Sequence, residues 1–211
     1  NLLININDKN KVRDISDDEY NEYAIELHEH CKKNISCILS AKYFVNILEK
    51  RNNSGKNLNN IKILMLCGEL GYRRVNYSRE LLSIGLRRLL GANFTDFPKN
   101  NVLYKGCKKR HKYIGKGFTY GNILKDVTIN RDLIEDRINS KEFDYIVYGK
   151  VGKKDKSEDP LNDMKYWKTV KHNYSSNNII FLYGGDKLRD KKDIDLLLHC
   201  EYGICFVREL E

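Results

Sequence analysis

The sequence predicts an α/β domain of the three-layer, Rossmann-like kind, with a mostly parallel sheet, over residues 61–211, preceded by an N-terminal helical segment and linker over residues 1–60. Three observations predict it. Short apolar runs recur along the chain, at 61–67, 144–149, 179–184 and 204–207. Unbroken apolar runs of that length are how strands buried on both faces of a parallel sheet read. Segments with helical spacing lie between the runs, the pattern of βαβ units with helices on both faces. Three of the runs end in glycine, often beside a carboxylate: Gly68-Glu69, Gly149, and Gly184-Gly185-Asp186. In such sheets the ligand lies outside the C-terminal ends of the strands, and glycine there lets another group approach the backbone.

Taken in order, Ser16-Asp17-Asp18-Glu19 is a capping box. The helix it opens carries Tyr20, Tyr23, Ala24, Leu27 and Cys31 on one face. A second helix is expected over 38–50, with Leu39, Tyr43, Ile47 and Leu48 as its apolar stripe. Residues 51–60 have no periodicity and read as a linker, so the domain boundary is placed there. After the first strand, residues 77–90 carry Leu81, Leu82, Ile84, Leu86, Leu89 and Leu90, and Gly91 stops the helix. A short strand follows at 93–97, ended by Pro98. Further helices are expected at 131–143 (Leu133, Ile134 and Ile138 inward), at 162–172 (around Met164, Trp167 and Val170) and at 193–200.

A hydrophobic fraction of 41% suffices for a sizeable core. No stretch approaches the roughly 18 apolar residues of a membrane helix, and no signal peptide is visible. The expected location is cytoplasmic, because the cysteines read as reduced. The net charge of +9 suits anionic partners, but Asn, Lys and Ile are all abundant and point first to compositional bias. The six cysteines form no CxxC pair and read as reduced thiols. No metal-ligating cluster, nucleophile elbow or cofactor motif appears, so neither metal nor cofactor is expected.

The densest basic run is 105–116, followed by the glycine-rich 115–121. Functionally, its backbone N–H groups would cradle phosphate with Lys116 adding charge; structurally, it is a tight loop anchored by Phe118. Nucleic acid is not the expected partner, because the run holds one aromatic, Tyr113, and no binding module surrounds it. Asp186 reads equally as a sugar-binding or basic carboxylate and as a helix N-cap. Arg208-Glu209 reads as a substrate clamp or as a local ion pair.

Five strings occur in order: Leu82-Ser83-Ile84-Gly85-Leu86-Arg87-Arg88-Leu89-Leu90-Gly91, then Gly115-Lys116-Gly117-Phe118-Thr119-Tyr120-Gly121, then Phe143-Asp144-Tyr145-Ile146-Val147-Tyr148-Gly149, then Tyr183-Gly184-Gly185-Asp186, then Phe206-Val207-Arg208-Glu209-Leu210. The series resembles the N-terminal Rossmann-like half of glycosyltransferase-like proteins of the two-Rossmann (GT-B) design. The family's Gly-Glu-Asp reads Gly184-Gly185-Asp186 here, and its Lys-Arg-Glu-Leu reads Val207-Arg208-Glu209-Leu210. Residues 17–50 resemble the C-terminal helical tail of a glycosyltransferase, and the Asn/Lys/Ile bias is similar to that of large DNA viruses, which would place the protein in a host cytoplasm.

The resemblance implies an acceptor-side domain that takes part in moving sugar from a nucleotide sugar to a glycan or protein. Asp186 and Glu69 would be its carboxylates, and Gly68, Lys116, Gly149, Gly184, Gly185, Arg208 and Glu209 its substrate contacts. Since the second half holds most donor contacts in that design, this chain alone is expected to fold and be catalytically silent. The alternatives are a non-catalytic glycan- or nucleotide-binding scaffold and a sugar-nucleotide-modifying enzyme.

Overall fold

The computed structural model describes residues 16–53, 55–67, 76–107, 121–149, 161, 164–183 and 199–207. Five strands form one sheet: β1 (Ile63–Leu66), β2 (Phe94–Phe97), β3 (Tyr145–Tyr148), β4 (Ile179–Tyr183) and β5 (Ile204–Val207). Every pairing is parallel, in the order β2-β1-β3-β4-β5. The fold is the Rossmann-like α/β architecture that the apolar runs predict. The strands are shorter than those runs because the ladder starts two residues into the first one.

Among the described residues, helices α1 (Asp17–Asn34), α2 (Cys37–Asn52), α3 (Tyr77–Leu90), α4 (Ile134–Asn139) and α5 (Trp167–Asn173) accompany the sheet, and residues 199–202 are also helical. Ser16 and Ser36 accept from the Glu19 and Leu39 amides and cap α1 and α2. Side chains alternate along each strand, so Ile63, Met65, Tyr145, Val147, Ile180 and Leu182 face α2 and α3. Their neighbours Leu64, Leu66, Ile146, Tyr148, Ile179 and Phe181 face α4, α5 and Trp167. Each face is an apolar layer, and truncating a fully buried member such as Leu48 to Ala costs about 2–5 kcal/mol.

The segment 51–60 separates α2 from β1 in sequence, yet packing joins them. Ala41, Phe44, Val45 and Leu48 belong to the same core cluster as the sheet. The Tyr145 hydroxyl at the start of β3 donates to Glu49 and accepts from Asn52, whose amide also donates to the Asn177 carbonyl. At the other end, α2 meets α3 at Gly85, where a Cβ would lie 2.0 Å from the Cys37 carbonyl oxygen and 2.9 Å from Ala41 Cβ. By contrast, α1 buries none of its residues.

Three helical stripes differ from expectation. On α2, Leu48 is buried, but Tyr43 is 69% exposed, and the inward face runs through Ala41, Phe44 and Val45 instead. The inward face is turned this way because Ala41 packs at the Gly85 contact, where a large side chain has no room. Leu133 is an exposed left-handed residue before α4, so only Ile134 and Ile138 point inward there. On α3, Leu81 is exposed while Arg79, Glu80, Ser83 and Arg87 are buried with Ile84, Leu86 and Leu90. The physical reason is that the polar residues of α3 find partners beneath it, as described next.

Candidate functional site

Because all five strands are parallel, their C-terminal ends share one edge. The chain leaves β1 toward β2 on one side and continues from β3 to β4 and β5 on the other. The topological switch point therefore falls between β1 and β3, where doubly wound sheets open a crevice for ligands. Pairing continues slightly past the strands: the Cys67 amide donates to the Phe97 carbonyl, and the Gly149 amide to the Leu66 carbonyl. Cys67 and Gly149 thus stand side by side at the switch point.

Gly149 is the predicted site residue that the structure describes, and it has a specific steric role. A Cβ there would lie 2.9 Å from Arg79 Cδ and 2.9 Å from Cys67 Sγ. The group that exploits its missing side chain is the Arg79 stem, which crosses the strand end. Arg79 is fully buried and pairs with the equally buried Glu80 through Nε, 2.9 Å from Oε1, and through its terminal nitrogen. The other Glu80 oxygen accepts from the Asn76 amide at 2.7 Å, and the Asn76 side chain accepts from the Arg79 amide at 3.0 Å. The first turn of α3 is thereby capped from both directions and locked onto the end of β1, where Ser83 bonds the Arg79 carbonyl and Met65 Sδ. Burying two charges is costly even when they are paired, so a pair held here contributes position more than stability.

A second polar cluster flanks β2. The buried Asp96 carboxylate accepts from the Arg87 guanidinium at 3.1 Å, Arg131 at 2.5 Å and the Tyr104 hydroxyl at 3.0 Å through Oδ1. Its Oδ2 accepts from the Asn100 amide. Burial, together with the Asp96 charge, pushes the Tyr104 phenol up to about 12, so it remains a neutral donor near neutral pH. Arg131 also holds the Asp96 carbonyl, and Lys99 pairs with Asp126. Tyr104 bridges to Leu124. Together these contacts fasten both ends of the long excursion between β2 and α4, which in sequence carries the basic run and Lys116.

A third feature closes β4. The Tyr183 hydroxyl and His199 Nδ1 share a hydrogen bond, and the His199 ring stands edge-on to Phe181 with centroids 4.8 Å apart. His199 is 1% exposed.

Of the other sequence-predicted residues, Gly68, Glu69, Lys116, Gly184, Gly185, Asp186, Arg208 and Glu209 lie outside the described residues. The strands immediately preceding several of them, β1, β4 and β5, all end at the edge just described. Sequence reasoning missed Arg79, Glu80, Asp96 and His199. A signal exists for one: Arg79 shares the buried face of α3 with Ser83, four residues on, so a polar pair interrupts its apolar stripe. Asp96 carried no local signal, since its partners come from 9 and 35 residues away. Among the described residues no group of three or more His, Cys, Asp or Glu stands where it could hold a metal. The six cysteines are free thiols, and burial with a hydrogen bond to Cys200 pushes the Cys205 thiol upward. Among the described residues no helix is long and apolar enough to cross a membrane.

No family model, curated protein or solved structure matches this chain.

Proposed function

We propose that this chain is the acceptor-side half of a glycosyltransferase-like enzyme, which moves sugar from a nucleotide sugar to a glycan or protein acceptor. The observation that supports it best is the switch point between β1 and β3. There a glycine, a buried thiol and a buried Arg–Glu pair meet at the edge where doubly wound folds take their ligands. In this reading the acceptor lies along the C-terminal edge, over Gly68 and Gly149. Glu69, Asp186 or both supply the carboxylate that hydrogen-bonds and deprotonates its attacking hydroxyl. Gly184 and Gly185 admit the acceptor at β4, and Lys116, Arg208 and Glu209 contact its polar groups or the donor phosphates. The donor nucleotide is held chiefly by a partner half.

Two measurements test this. Calorimetric titration with a uridine or guanosine diphosphate sugar should show weak binding or none; micromolar binding would put the donor site inside this chain and overturn the acceptor-side assignment. In the full enzyme, Asp186→Asn should lower turnover by about 10²-fold or more, in the range of a lost general base. It should leave the melting temperature unchanged, because Asn caps a helix as well as Asp does. Unchanged turnover would reduce Asp186 to a cap.

A further inference from the structure

A cavity opens on the C-terminal edge, at the ends of β4 and β5 rather than at the switch point. It has a volume of about 200 Å³ and lies between the N-terminal halves of α2 and α3. Its apolar floor includes Phe44, Leu82 and Phe206, and its rim carries Ser40, Tyr43 and Ser78. The described lining residues bear no formal charge. Tyr43 is 69% exposed although it is a large aromatic.

We infer that this cavity is a subsite for an uncharged pyranose ring of the acceptor. A pyranose has one face of C–H groups and a rim of hydroxyls. The apolar floor and the Tyr43 ring suit the first, and the hydroxyls of Ser40, Tyr43 and Ser78 suit the second. The described lining residues match an uncharged ring rather than a phosphate or carboxylate. The cavity and the switch point are two strand spacings apart, about 10 Å along the sheet edge. A single sugar cannot fill both. This inference rests on the proposed acceptor-side function and sharpens it: the acceptor is an oligosaccharide, with its reacting unit at β1/β3 and a further unit between α2 and α3. The subsite exists because α2, which precedes the sheet in sequence, packs beside α3 and starts at the same edge.

The test is amide chemical-shift mapping on the 211-residue chain with the methyl glycosides of glucose, galactose, mannose and N-acetylglucosamine, and with inorganic pyrophosphate as the anionic comparison. The expected result is saturable shifts at Ser40, Tyr43 and Ser78 with at least one glycoside and none there with pyrophosphate. Tyr43→Ala should weaken that glycoside about tenfold, the scale of a lost aromatic stacking contact. Because Tyr43 is exposed, the variant should keep its melting temperature. Leu82→Trp, which fills the cavity, should abolish the shifts while leaving those of Cys67 and Gly149 in place. Absence of saturable shifts with all four glycosides, or equal affinity in Tyr43→Ala, overturns the subsite. Shifts confined to Cys67 and Gly149 would do the same while sparing the proposed function, and shifts confined to the opposite edge would overturn both.

Discussion

The two ends of the sheet hold their charges differently. At the N-terminal end the ion pairs are partly exposed: in Lys56–Asp144 and Lys62–Glu142 the lysine side chains are 49% and 45% exposed and the carboxylates 20% and 32%. At the C-terminal end of β1, Arg79 and Glu80 are wholly buried, and beside β2 Arg87 and Arg131 converge on a buried Asp96. Exposed pairs contribute little and cost little to lose. Buried ones carry a desolvation penalty that apolar packing would avoid. The lesson is that this fold concentrates its expensive polar groups around the edge where a doubly wound sheet meets its ligand. It leaves the opposite edge to ordinary surface electrostatics.

The sharpest way to break that contrast is Asp96→Ala. It strips two buried guanidinium groups of their shared carboxylate and should destabilise the chain by about 3–5 kcal/mol, the range for breaking a buried ion pair. Chemical denaturation measures this, and a loss below 1 kcal/mol would mean the cluster is effectively solvated. Next in size is Gly149→Ala. Its Cβ must displace the Arg79 stem or Cys67 Sγ, so roughly 1–3 kcal/mol should be lost, the usual penalty for overpacking. If the variant is neutral, the strand end is looser than its geometry indicates. At the opposite end, Lys56→Ala should change stability by about 0–1 kcal/mol, and a larger loss would erase the difference between the ends.

The smallest effect depends on pH. The Arg137 hydrogen bonds, followed by the charges of Arg137 and Lys62, hold the Glu142 carboxyl below the ordinary glutamate range, against an opposing desolvation. A depressed folded-state value means the contribution is present above the unfolded value, about 4.3, and fades as pH falls through the folded one. Glu142→Gln should therefore flatten the stability curve only below about pH 4.3. A difference between variant and wild type that persists unchanged to lower pH would show that the Arg137 pairing does not bias this carboxyl.

The sheet was legible because each strand is an apolar run bounded by helical spacing, and periodicity survives without knowledge of partners. The rotation of α2 was not, because it is fixed by a contact 48 residues away, Cys37 against Gly85, that no local pattern encodes. The same holds for the candidate site. Gly149 stood out as a glycine at the end of an apolar run. Its reason, the Arg79 stem, comes from α3, far earlier in the chain, and no local pattern ties the two together. Asp96 is subtler still, an acidic residue inside a four-residue strand whose partners arrive from α3 and from the far end of the β2–α4 excursion. Polar groups buried by tertiary convergence leave at most a break in an apolar stripe, as Arg79 and Ser83 do.

A crystal structure of the chain with an oligosaccharide bound tests the proposed placement of an acceptor at the C-terminal edge most directly. Sugar density against Cys67 and Gly149, extending toward Ser40 and Ser78, is the predicted result. Sugar bound at the opposite edge, near Lys62, Asp144 and Asn178, would contradict it.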